Sequence, residues 1–330
     1  MGGLTQTGKI TNVAGLTVGH YTDTEHATGC TVVLCQSPAV AGIDVRGAAP
    51  GSRDTEMLHP LATFERVNGI VLTGGSVFGL ASADGATQFL FERGIGNRFG
   101  GTSIPICPAA VIFDLALATR AVWPNAQNGY SACEAASADV PQGSVGAGTG
   151  ATLGGLRGPR RRIKGGIGTA SVELGHGLVL GALIVVNPIG SVVDPDTGRI
   201  VAGRRASARE RRVLEDTVRI LIEDPPDTHA ESWNTVIGVV ATNAALNKKE
   251  ACRLAGAGQD AISLAVHPAH TAVDGDTIFA LATGEFERPV HQDRLRAAAT
   301  RAVVASILSA VEHATGLGGV PSAAEYLANG

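Results

Sequence analysis

Trp233-Asn234-Thr235-Val236-Ile237-Gly238-Val239-Val240-Ala241-Thr242-Asn243 is the stretch on which the reading of this chain turns. It follows a polar, proline-bearing linker, Glu223–Asn234 (EDPPDTHAESWN), the clearest break in the sequence. The abrupt change to a β-branched apolar run predicts a buried strand over Thr235–Thr242 that opens on a threonine. Downstream, the pattern predicts a helix over Lys248–Val266, a strand over Thr277–Thr283 and a helix over Arg294–Ala314. Ala251, Leu254, Ala255, Gly258, Ile262 and Ala265 share one face of the first helix; Ala299, Val303, Ile307, Ala310 and Ala314 share one face of the second.

Upstream of the linker, short β-rich runs (LTVGHY, TGCTVVLC, VNGIVLTGG, PICPAAVIFDL) alternate with a helical window at Leu80–Arg93. A Gly-rich tract, GSVGAGTGATLGG, leads through the basic loop RGPRRRIK to two strands, IGTASVEL and GLVLGALIVV. GSVVD then turns at Asp194–Gly198 into RIVAG, and Ser207–Glu223 suggests a further helix. The whole predicts one mixed α/β domain over residues 1–330.

Composition supports a large close-packed core. Of 330 residues 44% are hydrophobic and 17% charged, which excludes a disordered or fibrous protein; aromatics are only 4%, so the core must be built of Ala, Val, Ile and Leu. The 44 glycines imply tight turns and close backbone approaches. Twenty-six basic against 30 acidic residues leave a formal charge of −4, which argues against a nucleic-acid binder or a basic membrane-surface protein and favours a small neutral partner. Cys30, Cys35, Cys107, Cys133 and Cys252 form no C-x-x-C pair and read as reduced core thiols. The opening MGGLTQTGKITNVAG has no apolar run of signal-peptide length, and the longest apolar stretch, Gly177–Val186, stops at Asn187-Pro188. A cytoplasmic protein without a membrane span is expected.

Two motifs are decoys. Gly146–Ala151 fits G-x-G-x-x-A, but a dinucleotide site needs a helix directly after the glycines, and LGGLRGP supplies none. Gly74-Gly75-Ser76-Val77-Phe78-Gly79 resembles a nucleophile elbow with Phe78 where glycine is required, which leaves Ser76 as a strand-to-helix turn or cap residue that could line a site. His267 and His270 flank a proline in a loop and do not form a metal pair. The basic runs Arg157–Lys164 and Arg204–Arg212 read as solvated loops or helix faces.

A threonine at the first position of a strand, after a long linker, stands where peptide cleavage would make it a new N-terminus. It would then carry a hydroxyl nucleophile and an α-amine whose reference pKa of about 7.7–8.0 suits a base near neutral pH. With NTVIGVVATNAAL stand HTAVDGDTIFALATG downstream and VNPIG, LTVGHYTD, GIDVRGAAPGSRDTEML, LTGGSVFGLASADG and GYSACEAAS upstream. In this order and over nearly the whole chain, these segments resemble the P1 peptidase family of self-processing N-terminal-nucleophile enzymes. That family includes L-aminopeptidase/D-esterases, β-peptidyl aminopeptidases and nylon-oligomer hydrolases.

The resemblance implies a four-layer α-β-β-α sandwich. It also implies cleavage into a large chain, 1–234, and a small chain, 235–330, which stay together, usually as a homotetramer. Carried over residue by residue, Thr235 matches the nucleophile and Asn234 the residue whose carbonyl is attacked. Asn187 matches the oxyanion-hole amide and Tyr130 a tyrosine near the reacting carbonyl. Asp274 and Asp276 match the pair that positions the nucleophile, as Asp rather than the Ser and Glu of part of the family. Relatives often end the Gly-rich segment G-A-T-x-G-K; here Gly155 replaces that lysine, and Lys164, with Arg157 behind it, is the candidate substitute. The expected activity is hydrolysis of small peptides or amides with no metal or organic cofactor. An acyltransferase of the ornithine acetyltransferase type and a non-catalytic small-molecule binding protein are the alternatives.

Overall fold

The computed structural model describes residues 8–117, 122–206, 212–223 and 233–328. One sheet runs through the molecule. Its strands are β1 (Leu16–Asp23), β2 (Thr28–Val45), β3 (Arg66–Thr73), β4 (Ala109–Val111), β5 (Gly166–Glu173), β6 (Val179–Asn187), β7 (Thr235–Ala244) and β8 (Thr277–Phe286). They are ordered β5-β6-β7-β8-β2-β3-β4, with β1 also on β2 and the two-residue strand Ser52–Arg53 on the outer edge of β4. The 18-residue β2 joins two layers: its first half pairs with β1 and its second with β8, and the register on β3 slips between Leu34 and Ala39. Pro38, with no N–H to give the ladder, stands in that slip.

Alternation along the strands sorts side chains into three cores. Ile237, Val239 and Ala241 of β7 and Phe279 and Leu281 of β8 share the middle core of the sandwich with Val33, Ala41, Ile70 and Leu72 of β2 and β3. The opposite faces, Val236, Val240, Ile278 and Ala280, pack under the helices α3 (Lys248–Ala265) and α4 (Gln292–Glu312). On the far side Cys30, Val32 and Val71 pack under α1 (Ser82–Glu92) and α2 (Ala126–Glu134). The result is the α-β-β-α sandwich that the resemblance implied. Small Ala and Gly positions bring helices and sheet close: a Cβ on Gly168 of β5 would lie 2.1 Å from the Ser306 carbonyl of α4.

The strands and helices expected downstream of Thr235 form within three residues of the expected bounds. α3 begins at a reciprocal cap in which the Asn247 side chain accepts from the Glu250 N–H at 3.0 Å and Glu250 from the Asn247 N–H at 2.9 Å. The helix expected over Ser207–Glu223 is shorter, Thr217–Glu223. Arg204–Arg205 instead pairs with Leu214–Glu215 as a ribbon, and 207–211 lie outside the described residues, as do 224–232 of the linker. Arg204 is buried and ion-paired to Glu215 at 2.9 Å, so this basic run is not a solvated face at its start. Cys30, Cys35, Cys107 and Cys133 are buried free thiols, with Cys252 half-buried. Among the described residues, no helix is long and apolar enough to cross a membrane.

Candidate active site

Sheet topology brings three chain ends together. β6 is antiparallel to β7, with Asn187 opposite Thr235 in the last rung, so β6 ends where β7 begins. β8 is parallel to β7, so the Asp274-Gly275-Asp276 turn that precedes it arrives at the same edge. Asn234, Thr235, Asn187, Asp274 and Asp276 are thereby gathered in one place, all buried.

Around Asn234–Thr235 the contacts are backbone and hydroxyl. Asn234 N–H donates to the Val273 carbonyl at 3.1 Å, and the Asn234 side-chain amide donates to the Asn187 carbonyl at 2.9 Å. The Gly275 N–H lies 3.2 Å from the Asn234 carbonyl oxygen and 3.3 Å from Thr235 Oγ1, and the Thr235 hydroxyl donates to that same carbonyl. Gly275 can only be glycine here, since a Cβ would lie 2.5 Å from the Ala49 carbonyl. Facing it, Gly47 passes so close that a Cβ would lie 2.2 Å from the Asp276 nitrogen, while Ala49 N–H donates to the Asp274 carbonyl at 2.9 Å. The segment GIDVRGAAPG thus clamps the Asp-Gly-Asp turn.

The two aspartates act differently. Asp276 accepts from the Val236 N–H at 2.7 Å with one oxygen and from His270, N–H at 3.0 Å and Nδ1 at 2.8 Å, with the other. Asp274 makes no bond to Thr235; it accepts from the Thr271 N–H and hydroxyl at 3.1 and 2.5 Å and from Ile189 N–H at 3.4 Å. Burial, with repulsion from Asp276, pushes its carboxyl up to about 6. His270 was not a sequence candidate. Its ring nitrogens face two acceptors, Asp276 and the Gln259 carbonyl at 3.4 Å, so the imidazolium is the state that satisfies both. Burial works against that charge, but the Asp276 hydrogen bond and charge outweigh it and raise the His270 pKa. A histidine six residues before Asp276 was the available signal.

The Asn187 amide is held at both its ends. Its Oδ1 accepts from the Thr152 N–H at 2.8 Å, which leaves Nδ2 toward the Phe113 carbonyl, 3.4 Å away. Lys164 is fully buried rather than a solvated loop residue. Its ammonium donates to the carbonyls of Thr149 and Ala151 at 2.7 and 2.6 Å, so it fixes the Gly-rich tract immediately before Thr152 and reaches Asn187 through that loop. Burial lowers its pKa to about 7, with Asp114 opposing. Asp114, likewise missed in the sequence, is buried, accepts from Gly75 N–H at 2.7 Å and the Thr28 hydroxyl at 2.8 Å, and is pushed up to about 6 by burial. Arg157 stands on an exposed turn.

Tyr130 is not brought to Thr235. On α2 its hydroxyl donates to Glu92 at 2.7 Å at the C-terminal end of α1, and its ring meets Phe89 edge-on. A cavity of about 190 Å³ opens on Thr235 instead, lined by Pro50, Ser76, Val77, Phe113 and Trp233 among others. Among the described residues, no group of three His, Cys, Asp or Glu side chains is placed to hold a metal.

Comparison with known proteins identifies the family and the fold. The sequence profile of Peptidase family S58 matches residues 8–323. An uncharacterized aminopeptidase of Mycobacterium tuberculosis is 41% identical over 291 residues, covering 85% of this chain and 83% of that protein. A 6-aminohexanoate-oligomer endohydrolase of Paenarthrobacter ureafaciens is 31% identical over 279 residues, 83% of this chain and 75% of that one. A Burkholderia sp. beta-aminopeptidase superposes with TM-score 0.72 at 23% identity, covering 99% of this chain and 94% of the other. The L-aminopeptidase D-Ala-esterase/amidase of Ochrobactrum anthropi, an Ntn-hydrolase fold variant, gives 0.71 at 21%, covering 97% and 90%; at such identity both establish the fold alone. With a family profile that spans nearly its whole length and relatives at 41% and 31% identity named as an aminopeptidase and an oligomer endohydrolase, this chain belongs to peptidase family S58.

Proposed function

We propose that the chain matures by cleaving its own Asn234–Thr235 bond and then hydrolyses small peptides or oligoamides through an acyl-enzyme on Thr235. The observation that carries this reading is the single Gly275 N–H shared between the Asn234 carbonyl oxygen and Thr235 Oγ1 at 3.2 and 3.3 Å. Attack of Oγ1 on the Asn234 carbonyl carbon forms a C–O bond and turns the carbonyl into an oxyanion beside that N–H. The C–N bond then breaks and the hydroxyl proton ends on the Thr235 nitrogen, which becomes the free α-amine; water hydrolyses the ester, restoring the Thr235 hydroxyl and leaving Asn234 with a carboxylate. Asp276 fixes the Val236 N–H, and with it the start of β7, through this change.

In the mature enzyme the α-amine serves as base toward its own hydroxyl and as acid toward the leaving amine. Asn187 Nδ2 donates to the substrate oxyanion. Lys164 is a positioning residue for Asn187 through Thr149–Thr152, and assembly of cleaved protomers as a homotetramer belongs to the same proposal. The wall of Pro50, Val77, Val111 and Phe113 suits an uncharged chain. The test is hydrolysis of a linear 6-aminohexanoate oligomer and of amino-acid p-nitroanilides. Wild type is expected to cleave at least one and Thr235→Ala neither. Hydrolysis retained in Thr235→Ala contradicts the mechanism, and product recovered as the amide of an added amine moves the reading to acyl transfer.

A further inference from the structure

Beside Asn234 and Thr235, the cavity is lined by one hydroxyl that the proposed reaction does not use, that of Ser76. Its backbone is strained: φ is +53°, the left-handed region that serine rarely occupies, directly after Gly75 at +80°. The strain is imposed by the surroundings. Gly75 N–H is held by buried Asp114 at 2.7 Å, and Ser76 N–H donates to the Ile112 carbonyl at 3.0 Å. Gly75 itself has no room for a side chain, since a Cβ there would lie 2.4 Å from the Trp123 Cβ. A glycine at 76 would take this conformation without cost, yet the position, in the cavity wall, carries a serine. Among the described residues that hydroxyl makes no hydrogen bond, and no histidine or carboxylate is among the residues that line the cavity.

A hydroxyl can donate and accept, so it matches the N–H or C=O of a neutral amide, and the apolar wall around it removes competing water. We propose that Ser76 is a substrate-binding residue whose hydroxyl hydrogen-bonds an amide group of the chain bound against Thr235. The proposal rests on the hydrolase reading above and adds the contact that holds the substrate.

The test measures KM and kcat of Ser76→Ala and Ser76→Gly on whichever of the two amide probes the wild type hydrolyses, with a denaturing gel for chain cleavage. Both variants are expected to cleave themselves as wild type does and to keep kcat within about twofold, while KM rises about 3- to 10-fold, the scale of one neutral hydrogen bond. Ser76→Gly is expected to melt at the same temperature or higher, which separates the contact from the strain. Unchanged KM in an active Ser76→Gly overturns the proposal alone, as does a failure of either folded variant to cleave itself. A wild type that hydrolyses neither probe overturns the hydrolase reading and this proposal with it.

Discussion

At Asn187 the side-chain oxygen is committed to the Thr152 N–H and Nδ2 lies 3.4 Å from the Phe113 carbonyl; the proposed reaction asks Nδ2 to donate to the reacting oxygen. Asn187→Ala is expected to lower turnover by about 10²–10³, the usual effect of one oxyanion donor, with no change in melting large enough to account for it. Steady-state kinetics on the folded variant decides this, and unchanged turnover would make Asn187 a loop anchor. Asp114 makes a prediction of a different kind. Its folded pKa, about 6, lies above the ordinary carboxyl value, so its favourable contribution is present below about pH 4 and is lost as pH rises through 6. Asp114→Asn keeps the acceptor for Gly75 and gives Thr28 a donor, so it is expected to gain about 1–3 kcal/mol at pH 8 and nothing at pH 4. Urea unfolding at both values measures it, and equal gains at both would contradict the assignment.

The elements were legible where periodicity is strong and local. The strand opening at Thr235 and the amphipathic α3 and α4 could be read because each buries a regular face against a sheet. α2 could not: with Gly129 inside it, it starts on a cap between Asn125 and Asn128 that holds few apolar residues, and its packing under α1 is a tertiary fact. Nor could β2 be read as one strand crossing both layers, because pairing with β8 more than 200 residues away leaves no local signature. The clamp of Gly47 on the Asp274–Asp276 turn is also an element-level feature. Gly47→Ala puts a methyl where the Asp276 nitrogen lies 2.2 Å away, so it is expected to destabilise by about 1–3 kcal/mol and to slow or abolish self-cleavage. Thermal melting and a denaturing gel of the variant test both, and a fully cleaved protein of wild-type stability would show that the turn is not held there.

Over the whole molecule, Thr235, Asn187 and the Asp pair were legible only through the order of motifs resembling a known family, because Asp-Gly-Asp alone is a turn and Thr235 alone opens a strand. His270 and Asp114 escaped because their meaning comes from neighbours distant in sequence, Asp276 and Gln259 for one and Gly75 and Thr28 for the other, whereas Ser76, read as a turn or cap residue that could line a site, does line the cavity. The topology also says what a cut at 234 would leave behind. The segment after it supplies β7 and β8 in the middle of the sheet, between β6 and β2 of the preceding segment, so the two pieces would remain one folded body. Native chromatography would therefore not reveal the cut, but denaturation would. The measurement that tests the central claim most directly is the intact mass of denatured, purified protein. Two chains of 234 and 330 − 234 = 96 residues, the smaller beginning at Thr235, are expected from wild type and one chain of 330 from Thr235→Ala. A wild type that is uncut yet hydrolyses amides would contradict the account.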